Sequence, residues 1–309
     1  MAKLVVIGSG VVGQATGKGL VDKEYDVVFC DINPEVLAKL KNYGHRVCSP
    51  DLLEQETNVD AFFLAISTPT IDGKVKLDFL ESAVTNLGSG YLKKNNNYCI
   101  VVIRSTVPPN TIEGSLIPLL EKYSGKKAGK DFGVCMNPEY LRENRNEQDF
   151  KNPWIITIGQ LDEKSGETLE KIYGAQTCPI ARISLKEAEM QKYVHNIFNA
   201  CKISFFNEMR VICETIGVNA DKVFSLVVQS AEAQWNPKYG IRDMGPYGGN
   251  CLPKDTTAFL TYANYELEKP MPVLASVIKM NDILKERYSK RESDLVIEQD
   301  KNKLQRSVS

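Results

Sequence analysis

The segment Gly248–Asp255 brings together residue types that could carry out chemistry. Its sequence, Gly-Gly-Asn-Cys-Leu-Pro-Lys-Asp, begins with two glycines, which permit close approach of the backbone to a ligand. Lys254 and Asp255 lie three and four residues after Cys251, where the pattern predicts the start of a helix. Because a cation and a helix N-terminus both favour the thiolate, Cys251 is a candidate nucleophile. The alternative is a buried structural cysteine beside an aspartate that caps the helix.

A long predicted helix, Ser184–Gly217, carries a second group of candidates. Four of its polar side chains recur at i, i+3 and i+4 spacing and therefore share one face: Glu189, Lys192, Asn196 and Asn199. Lys192 could stabilise a developing oxyanion by its charge, and Asn196, one turn later, could donate an oriented hydrogen bond. The alternative is that this stripe is the solvated face of an amphipathic helix.

A third group of polar residues follows the predicted strand Phe132–Met136. The segment Asn137–Glu143 contains Glu139, and carboxylates just beyond the carboxyl end of a strand lie where α/β folds place their ligands. Glu139 could act as a general base, or the acidic residues could simply cap the next helix. Hydroxyl groups follow two other predicted strands at the same edge: Ser67, Thr68, Ser105 and Thr106. The two histidines, His45 and His195, lack the neighbours of a catalytic triad or a metal site, and we predict no metal.

The segment Gly8–Gly13 has the Gly-x-Gly-x-x-Gly pattern that is typical of dinucleotide binding. Gly8 would form a tight turn, Gly10 would let a pyrophosphate approach the backbone, and Gly13 would let the following helix pack against the preceding strand. Asp31, after the second predicted strand, would accept hydrogen bonds from the adenosine ribose and would repel a 2′-phosphate. We therefore predict NAD, rather than NADP, as the cofactor. The alternative is a turn-forming glycine cluster beside a solvated aspartate.

The elements that would position these residues alternate between strands and helices over the first part of the chain. Six short apolar segments indicate strands: Leu4–Ile7, Val27–Cys30, Ala61–Ile66, Tyr98–Ile103, Phe132–Met136 and Ile155–Ile158. Helical patterns lie between them, for example Pro34–Tyr43, Thr111–Tyr123 and Asp78–Leu87, the last opened by a capping box of Asp78 and Glu81. Since such alternation is typical of a parallel sheet covered by helices, we predict an α/β fold with a Rossmann-type, mostly parallel sheet domain.

Beyond residue 183 the pattern is helical. Gly217 is placed to end the long helix, and three further helices are predicted, over Asn219–Val228, Lys254–Leu267 and Pro272–Tyr288. We therefore expect an NAD-binding domain over 1–183, an all-helical central domain over 184–288 and a charged, disordered tail over 289–309. The apolar faces of the helix over 184–217 exceed what one small domain would cover, so we predict a homodimer built on that helix.

Composition excludes several classes of protein. The chain has 309 residues, of which 43% are hydrophobic and 25% charged, as in an ordinary globular protein. Its 38 Lys+Arg and 39 Asp+Glu leave a net charge of −1, so nucleic-acid binding is not expected. No apolar run approaches the roughly 20 residues that a membrane helix needs. The eight cysteines lie mostly in apolar segments without paired CxxC spacing, which favours reduced thiols and a cytoplasmic location.

Together these segments resemble the UDP-glucose/GDP-mannose dehydrogenase family from residue 3 to about residue 288. The resemblance rests on Gly8–Gly13, Ser105–Pro108, Asn137–Glu143, the Lys192/Asn196 pair and Gly248–Asp255, which occur in the family's order. It implies an NAD-dependent four-electron oxidation of the primary alcohol of a sugar nucleotide to a carboxylate, with two NAD used in sequence. UDP-glucose is the substrate expected from this resemblance.

The resemblance also implies catalytic roles. The implied catalytic residues are Cys251, Lys192, Asp255, Glu139, Asn196 and Thr106. Cys251 would trap the intermediate aldehyde as a thiohemiacetal, and a second oxidation would give a thioester. Lys192 and Asn196 would stabilise the oxyanions, and Asp255 would assist proton transfer. Glu139 would be the base for thioester hydrolysis, with the Thr106 hydroxyl helping to hold the water.

Two sets of binding residues follow from the same resemblance. The implied cofactor-binding residues are Gly8, Gly10, Val11, Val12, Gly13, Asp31, Ser67, Thr68, Thr106, Glu143 and Lys254. The implied substrate-binding residues are Glu139, Tyr140, Leu141, Lys192, Asn196, Tyr239 and Gly248.

The sequence departs from the family's pattern in two places. Members usually continue into a third, C-terminal α/β domain that closes over the nucleotide, whereas this chain ends at Ser309. They also usually carry an Arg-Ile-Gly before the cysteine motif, where this chain has Gln234–Tyr239; Lys238 or Arg242 could compensate. Two other hypotheses therefore stay open: a relative of the 3-hydroxyacid dehydrogenases that performs a single oxidation, and a catalytically silent, dimerising binding protein.

Overall fold

The computed structural model describes residues 2–142, 144–174, 177–215, 217–229, 245–266, 268 and 270–306. The chain divides into two compact units, Met1–Lys192 and Tyr193–Ser309. The division falls inside a long helix that begins at Leu185, a short way beyond the domain boundary predicted between 183 and 184.

The first unit contains an eight-stranded sheet and a small separate hairpin. The strands of the large sheet are β1 (Lys3–Ile7), β2 (Asp26–Cys30), β3 (Arg46–Cys48), β4 (Val59–Leu64), β7 (Ile100–Ile103), β8 (Gly133–Met136), β9 (Ile156–Gln160) and β10 (Ile180–Ser184). Those of the hairpin are β5 (Thr70–Ile71) and β6 (Lys74–Val75). The order in the large sheet is β10-β9-β8-β7-β4-β1-β2-β3. Six of the seven pairings between neighbouring strands of this sheet are parallel and the β8–β9 pairing is antiparallel, so the prediction of a mostly parallel sheet is confirmed.

Helices connect the strands of this unit and cover the sheet. They are α1 (Val11–Val21), α2 (Pro34–Asn42), α3 (Asp78–Leu87), α4 (Ile117–Ser124), α5 (Asn146–Lys151) and α6 (Glu163–Tyr173). Successive side chains of β1 pack into the apolar cores on opposite faces of the sheet, because the side chains of a strand alternate in direction. Val5 and Ile7 lie in the core on one face, and Leu4 and Val6 lie in the core on the other. Both faces of the sheet are therefore buried, which explains the nearly continuous apolar strands.

Helices are the regular elements of the second unit in the part that the structure describes. The helix α7 (Leu185–Thr215) crosses from the first unit, and α8 (Ala220–Val227), α9 (Leu252–Tyr265) and α10 (Pro272–Arg306) follow. Gly217, at φ 72°, follows the end of α7 as predicted. The amide of Val218 bonds the carbonyl of Cys213 at 2.8 Å and the amide of Gly217 bonds that of Glu214, so the last carbonyls of the helix are satisfied.

Three expectations differ from the structure. The Asp78 and Glu81 capping box is wrong: Leu77 is the N-cap residue without a side-chain bond, and Glu81 accepts from Ser115 instead. Two strands, β3 and β10, are missing from the predicted set. The predicted disordered tail over 289–309 is helical through Arg306, because its many Lys, Glu, Gln and Arg residues favour helix and no Gly or Pro interrupts them.

Candidate functional site

The glycine loop after β1 has the geometry that its pattern predicts. Gly8 has φ 89°, a left-handed conformation that favours glycine, and a Cβ there would lie 2.5 Å from the Ala65 carbonyl oxygen. A Cβ on Gly13 would lie 1.8 Å from the Gly8 carbonyl oxygen and 3.3 Å from the Val6 side chain. Glycine is therefore required at position 8 for the approach of the loop to Ala65, and at position 13 for the close packing of α1 against the end of the first strand.

Gly10 differs from its two neighbours in the motif. A Cβ there would meet nothing within 4 Å, so the space beside this loop is open. Gly10 is also the N-cap of α1, and the first turn of that helix carries no acidic residue that would neutralise its positive end. An open space beside an uncompensated helix N-terminus fits the pyrophosphate of a dinucleotide. Val11 and Val12 form the first turn of the helix at the same place.

Asp31 lies directly after β2 and joins two loops. One of its oxygens accepts a hydrogen bond from the Ser9 amide at 2.6 Å, and the other accepts one from the Asn33 amide at 2.8 Å. The carboxylate is thus fixed beside the glycine loop, where the prediction places the ribose. The neighbouring Ile32 side chain is 83% exposed and is a further candidate contact for the dinucleotide, which the sequence patterns above do not predict. The one feature of the sequence that could have indicated it is an apolar residue in an otherwise polar loop.

The hydroxyl-bearing loops after β4 and β7 are joined to each other. The Ser105 hydroxyl donates to the Ile66 carbonyl at 2.7 Å and accepts from the Ile66 amide at 2.9 Å. The Thr68 hydroxyl donates to the Thr106 carbonyl at 2.8 Å. Thr68 and Thr106 are buried, whereas Ser67 is exposed at the edge. The predicted edge of the sheet therefore does bring these residues together.

Lys192 and Glu139 form a buried ion pair in the first unit. The Lys192 ammonium lies 3.1 Å from Glu139 Oε1 and also donates to the Glu139 carbonyl oxygen. The side chains of Lys192 and Glu139 are only 3% and 7% exposed. The second carboxylate oxygen accepts from the Leu141 amide at 2.7 Å. Burial alone raises the pKa of Glu139, but the Lys192 charge and the Leu141 amide outweigh it and hold this pKa below its ordinary value. Glu139 is therefore an ionised carboxylate and not a helix cap.

A buried polar cluster supports the segment that carries Glu139. The Arg104 guanidinium donates to the Asn137 side-chain oxygen and to the Tyr173 hydroxyl, the latter at 3.0 Å. The Asn137 amide in turn donates to the Thr157 carbonyl at 2.8 Å. Tyr140 bonds the Thr157 hydroxyl at 2.9 Å, and its ring lies 5.5 Å from the Lys192 ammonium. Nothing in the spacing of Arg104 along the chain indicates these partners, so its role is visible only in the fold.

Glu189, one helical turn before Lys192, is bound to the loop that follows β7. Its two carboxylate oxygens accept from the Asn110 and Ile112 amides, the second at 2.8 Å. Burial raises the pKa of Glu189 to about 7, against the opposing effect of these hydrogen bonds. The side chain is 1% exposed, so the solvated-stripe alternative is wrong for this residue.

Asp255 and Asn196 are hydrogen-bonded in the second unit. The Asn196 amide donates to one oxygen of Asp255, and the Lys254 ammonium lies 3.0 Å from the other. Asn196 and Asp255 are 5% and 1% exposed. The stripe alternative is therefore wrong for Asn196 as well.

Cys251 is the exposed cysteine of the chain and the N-cap residue of α9. The other seven cysteines are buried or half-buried. Cys251 lies two residues after Gly249, which has φ 71°, and its carbonyl accepts a hydrogen bond from the Asp255 amide at 2.8 Å. The alternative of a buried structural cysteine is thus wrong, because the thiol is presented at the start of a helix. Gly248, the predicted substrate contact, is exposed beside it.

Some predicted residues lie outside the described part of the chain. They are Glu143, Gln234–Tyr239 (which contains Lys238) and Arg242. Within the residues that the structure describes, no group of three His, Cys, Asp or Glu side chains is arranged to hold a metal ion. No helix in the same residues is long and apolar enough to cross a membrane.

Known proteins share both the sequence and the fold of this chain. The GDP-mannose 6-dehydrogenase of Pseudomonas syringae pv. tomato is 34% identical over 299 residues, which are 90% of this chain and 68% of that protein. The UDP-glucose 6-dehydrogenase AglM of Haloferax volcanii is 32% identical, over 93% of this chain and 73% of that protein. A UDP-glucose dehydrogenase from Pyrobaculum islandicum superposes with a TM-score of 0.81 at 31% identity and covers 92% of this chain and 68% of its own.

Family comparison gives the same result for each part of the chain. Residues 2–177 match the NAD binding domain of the UDP-glucose/GDP-mannose dehydrogenase family, and residues 186–283 match its central domain. The first match ends at residue 177 and the second begins at residue 186. The chain therefore belongs to the UDP-glucose/GDP-mannose dehydrogenase family and is an NAD-dependent oxidoreductase.

Proposed function

We propose that this protein oxidises the primary alcohol of a sugar nucleotide to a carboxylate, with UDP-glucose as substrate and UDP-glucuronate as product. The observation that carries the proposal is the exposed thiol of Cys251 at the N-cap of α9. An oxidation that passes through an aldehyde needs a group that retains the aldehyde until the second oxidation, and a thiolate is well suited to this.

The residues around the glycine loop would hold the dinucleotide. Gly8, Gly10 and Gly13, with Val11 and Val12, would bind the pyrophosphate, and Asp31 would bind the ribose. Further cofactor contacts would come from Ser67, Thr68, Thr106, Glu143 and Lys254. When bound, NAD supplies the hydride acceptor for each of the two oxidations.

The chain's own residues would handle the covalent and proton-transfer steps. Addition of the Cys251 sulfur to the aldehyde carbon gives a thiohemiacetal, and loss of hydride from that carbon leaves a thioester. Lys192 and Asn196 would stabilise the oxyanions, and Asp255 would assist proton transfer. Glu139, ionised because Lys192 lowers its pKa, would take a proton from the water that hydrolyses the thioester, held with the help of Thr106. Tyr140, Leu141, Tyr239 and Gly248 complete the proposed substrate contacts.

The stoichiometry of NADH release tests this proposal. With UDP-glucose and NAD we expect two NADH per sugar oxidised, and Cys251→Ser should abolish the production of the carboxylate. Cys178→Ser, a half-buried cysteine in the first unit, is the matched control and should retain activity. One NADH per sugar, together with full activity in Cys251→Ser, would show that the cysteine is not the nucleophile.

GDP-mannose is a second candidate substrate. It is favoured by the 34% identity to a GDP-mannose 6-dehydrogenase, against 32% to a UDP-glucose 6-dehydrogenase. A screen of UDP-, GDP- and dTDP-sugars by NADH release separates the two. Turnover with GDP-mannose alone would replace UDP-glucose in the proposal without changing the chemistry.

The exposed apolar face of α7 supports a homodimer built on that helix. Val194, Phe198 and Phe205 are 52%, 44% and 52% exposed. Their spacing of four and seven residues places them on one face of the helix. Three large apolar side chains in one row are typical of a surface that a partner covers, and a second copy of the chain is the proposed partner.

A further inference from the structure

Cys251 lies on a short exposed segment between two buried residues. Residues 248–251 are exposed, whereas Tyr247 before them and Leu252 after them are 4% and 9% exposed. Tyr247 and Leu252 pack in one apolar cluster with Ala200, Ile203 and Val277. Tyr247 and Leu252 therefore anchor the two ends of the segment that carries Cys251 in the core of the second unit.

Buried amide side chains hold the approach to this segment. The Asn281 amide on α10 donates to the Tyr247 carbonyl at 3.1 Å, and the Asn207 amide on α7 donates to the Gly245 carbonyl at 2.6 Å. Asn281 and Asn207 are 2% and 5% exposed. A buried carbonyl in a loop needs a hydrogen-bond partner, and here neither carbonyl belongs to a helix or a strand.

Of these two amides, Asn281 binds nearer to Cys251 along the chain. The Tyr247 carbonyl belongs to the peptide group that joins Tyr247 to Gly248, so its orientation fixes the direction in which the exposed segment leaves the core. At the other end, the Thr256 hydroxyl donates to the Leu252 carbonyl at 2.6 Å and holds the first turn of α9. Without the Asn281 bond, the Tyr247 carbonyl would lose this hydrogen bond and the first end of the segment would be held less firmly.

We infer that Asn281 is a positioning residue for Cys251, with Asn207 as a secondary support two residues further from the thiol. Asn281 acts through the Tyr247 carbonyl and needs no contact with substrate or cofactor. The inference that this affects turnover rests on the proposed role of Cys251 as nucleophile, whereas the effect on the thiol itself does not.

Alkylation of Cys251 by iodoacetamide tests the inference without relying on turnover. The rate is read from the mass of the Cys251 peptide, in the full chain at neutral pH. Asn281→Leu removes the donor, and Asn281→Asp keeps the side-chain shape while replacing the N–H donor with an oxygen. We expect both to change the alkylation rate by about fivefold or more, the value of one neutral hydrogen bond. Asn207→Leu should have a smaller effect.

Asn199→Leu is the matched control. Asn199 is also a buried amide of the second unit, 8% exposed, and its amide contacts His195 rather than residues 245–252. It should leave the alkylation rate unchanged. If Asn281→Leu and Asn281→Asp both alkylate at the wild-type rate, or if neither variant folds, the positioning role is overturned, because the side chain is then dispensable or required for folding alone.

Turnover separates failure of this inference from failure of the proposed function. We expect the Asn281 variants to lower kcat with little change in KM for the sugar nucleotide or in NADH affinity. A changed alkylation rate with unaltered turnover would support the positioning role and contradict a nucleophilic Cys251. An unchanged alkylation rate in the Asn281 variants, together with two NADH per sugar, would contradict the positioning role of Asn281 and support a nucleophilic Cys251.

Discussion

The Lys192–Glu139 ion pair places two opposite charges where water cannot solvate either of them. Removing one partner of such a pair leaves the other charge buried and unpaired, which costs far more than the pair contributes. We expect Lys192→Met to lower the free energy of unfolding by about 3 kcal/mol, measured by urea denaturation at pH 7. The double variant Lys192→Met/Glu139→Gln is the control and should recover about half of the loss. A Lys192→Met chain as stable as the wild type would contradict this account.

The sign of the Glu139 pKa shift gives the pH dependence of that effect. Because the pKa of Glu139 is lowered in the folded chain, its stabilising contribution is present above the ordinary pKa of 4.5 and is lost as the pH falls through the folded value. The difference in stability between wild type and Lys192→Met should therefore narrow below pH 4.5, and denaturation curves measured at pH 3 to 5 test this directly.

Glu189 titrates with the opposite sign. Burial raises its pKa from 4.5 to about 7, so the folded chain holds this proton more tightly than the unfolded chain does. The wild type should lose roughly 2 kcal/mol of stability, relative to Glu189→Gln, as the pH rises from about 4.5 to about 7. The negative charge of Glu113 raises the pKa of Glu189 further, and the positive charge of Lys186 lowers it. A stability difference that does not vary over this range would show that Glu189 keeps an ordinary pKa.

The residue types of the candidate site are predictable from the sequence, but their partners are not. Helical spacing pairs Lys192 with Asn196, yet the ion pair of Lys192 is with Glu139, 53 positions away in the chain. No spacing rule connects residues on different elements. For the same reason Arg104, Glu189 and Asn281 were missed as structural supports, because each is recognisable only from the groups that it contacts.

At the scale of single elements, the loop from β1 to α1 offers a pair of contrasting substitutions. Gly13→Ala would place a methyl group 1.8 Å from the Gly8 carbonyl, whereas Gly10→Ala would place one in open space. We expect Gly13→Ala to lower the melting temperature by several degrees or prevent folding. Gly10→Ala should leave the melting temperature unchanged and weaken NADH binding by about tenfold or more, since its methyl group would occupy the space predicted for the pyrophosphate. Equal NADH affinity in Gly10→Ala and wild type would exclude that loop from the cofactor site.

The strength of local pattern explains which elements could be predicted. The strands β1, β2, β4, β7, β8 and β9 are buried at all but at most one residue each, and their apolar runs predict their bounds to within about two residues. The missed strand β3 has three residues and lies at the edge of the sheet, and β10 is half-buried and contains Arg182 and Ser184. The capping box at Asp78 failed because the chain enters α3 one residue earlier, at Leu77, and tertiary contact draws Glu81 to Ser115.

At the scale of the whole molecule, the order of strands and helices is predictable from the sequence. The point at which the chain divides into two compact units is harder to predict. Alternation of strands and helices gave the parallel sheet, and loss of that alternation after residue 183 gave the helical unit. The compact units divide at Lys192, because the first turns of α7 pack on the sheet: Leu185 and Ala188 belong to the core of the first unit. A long helix shared by two units has no sequence feature at the point where its packing partners change.

The apolar face of α7 gives a prediction for the assembled molecule. A helix of 31 residues is about 46 Å long, enough to bury the roughly 1,200 Å² that a stable interface needs when two copies pack together. We expect light scattering at micromolar concentration to give twice the chain mass of 34.5 kDa, and Phe198→Glu/Phe205→Glu to give the single chain mass. Phe79→Glu is the matched control, since Phe79 is a 60% exposed phenylalanine on α3, and it should leave the dimer intact. A wild-type chain of 34.5 kDa in solution would overturn the homodimer, and dissociation by Phe79→Glu would place the interface elsewhere.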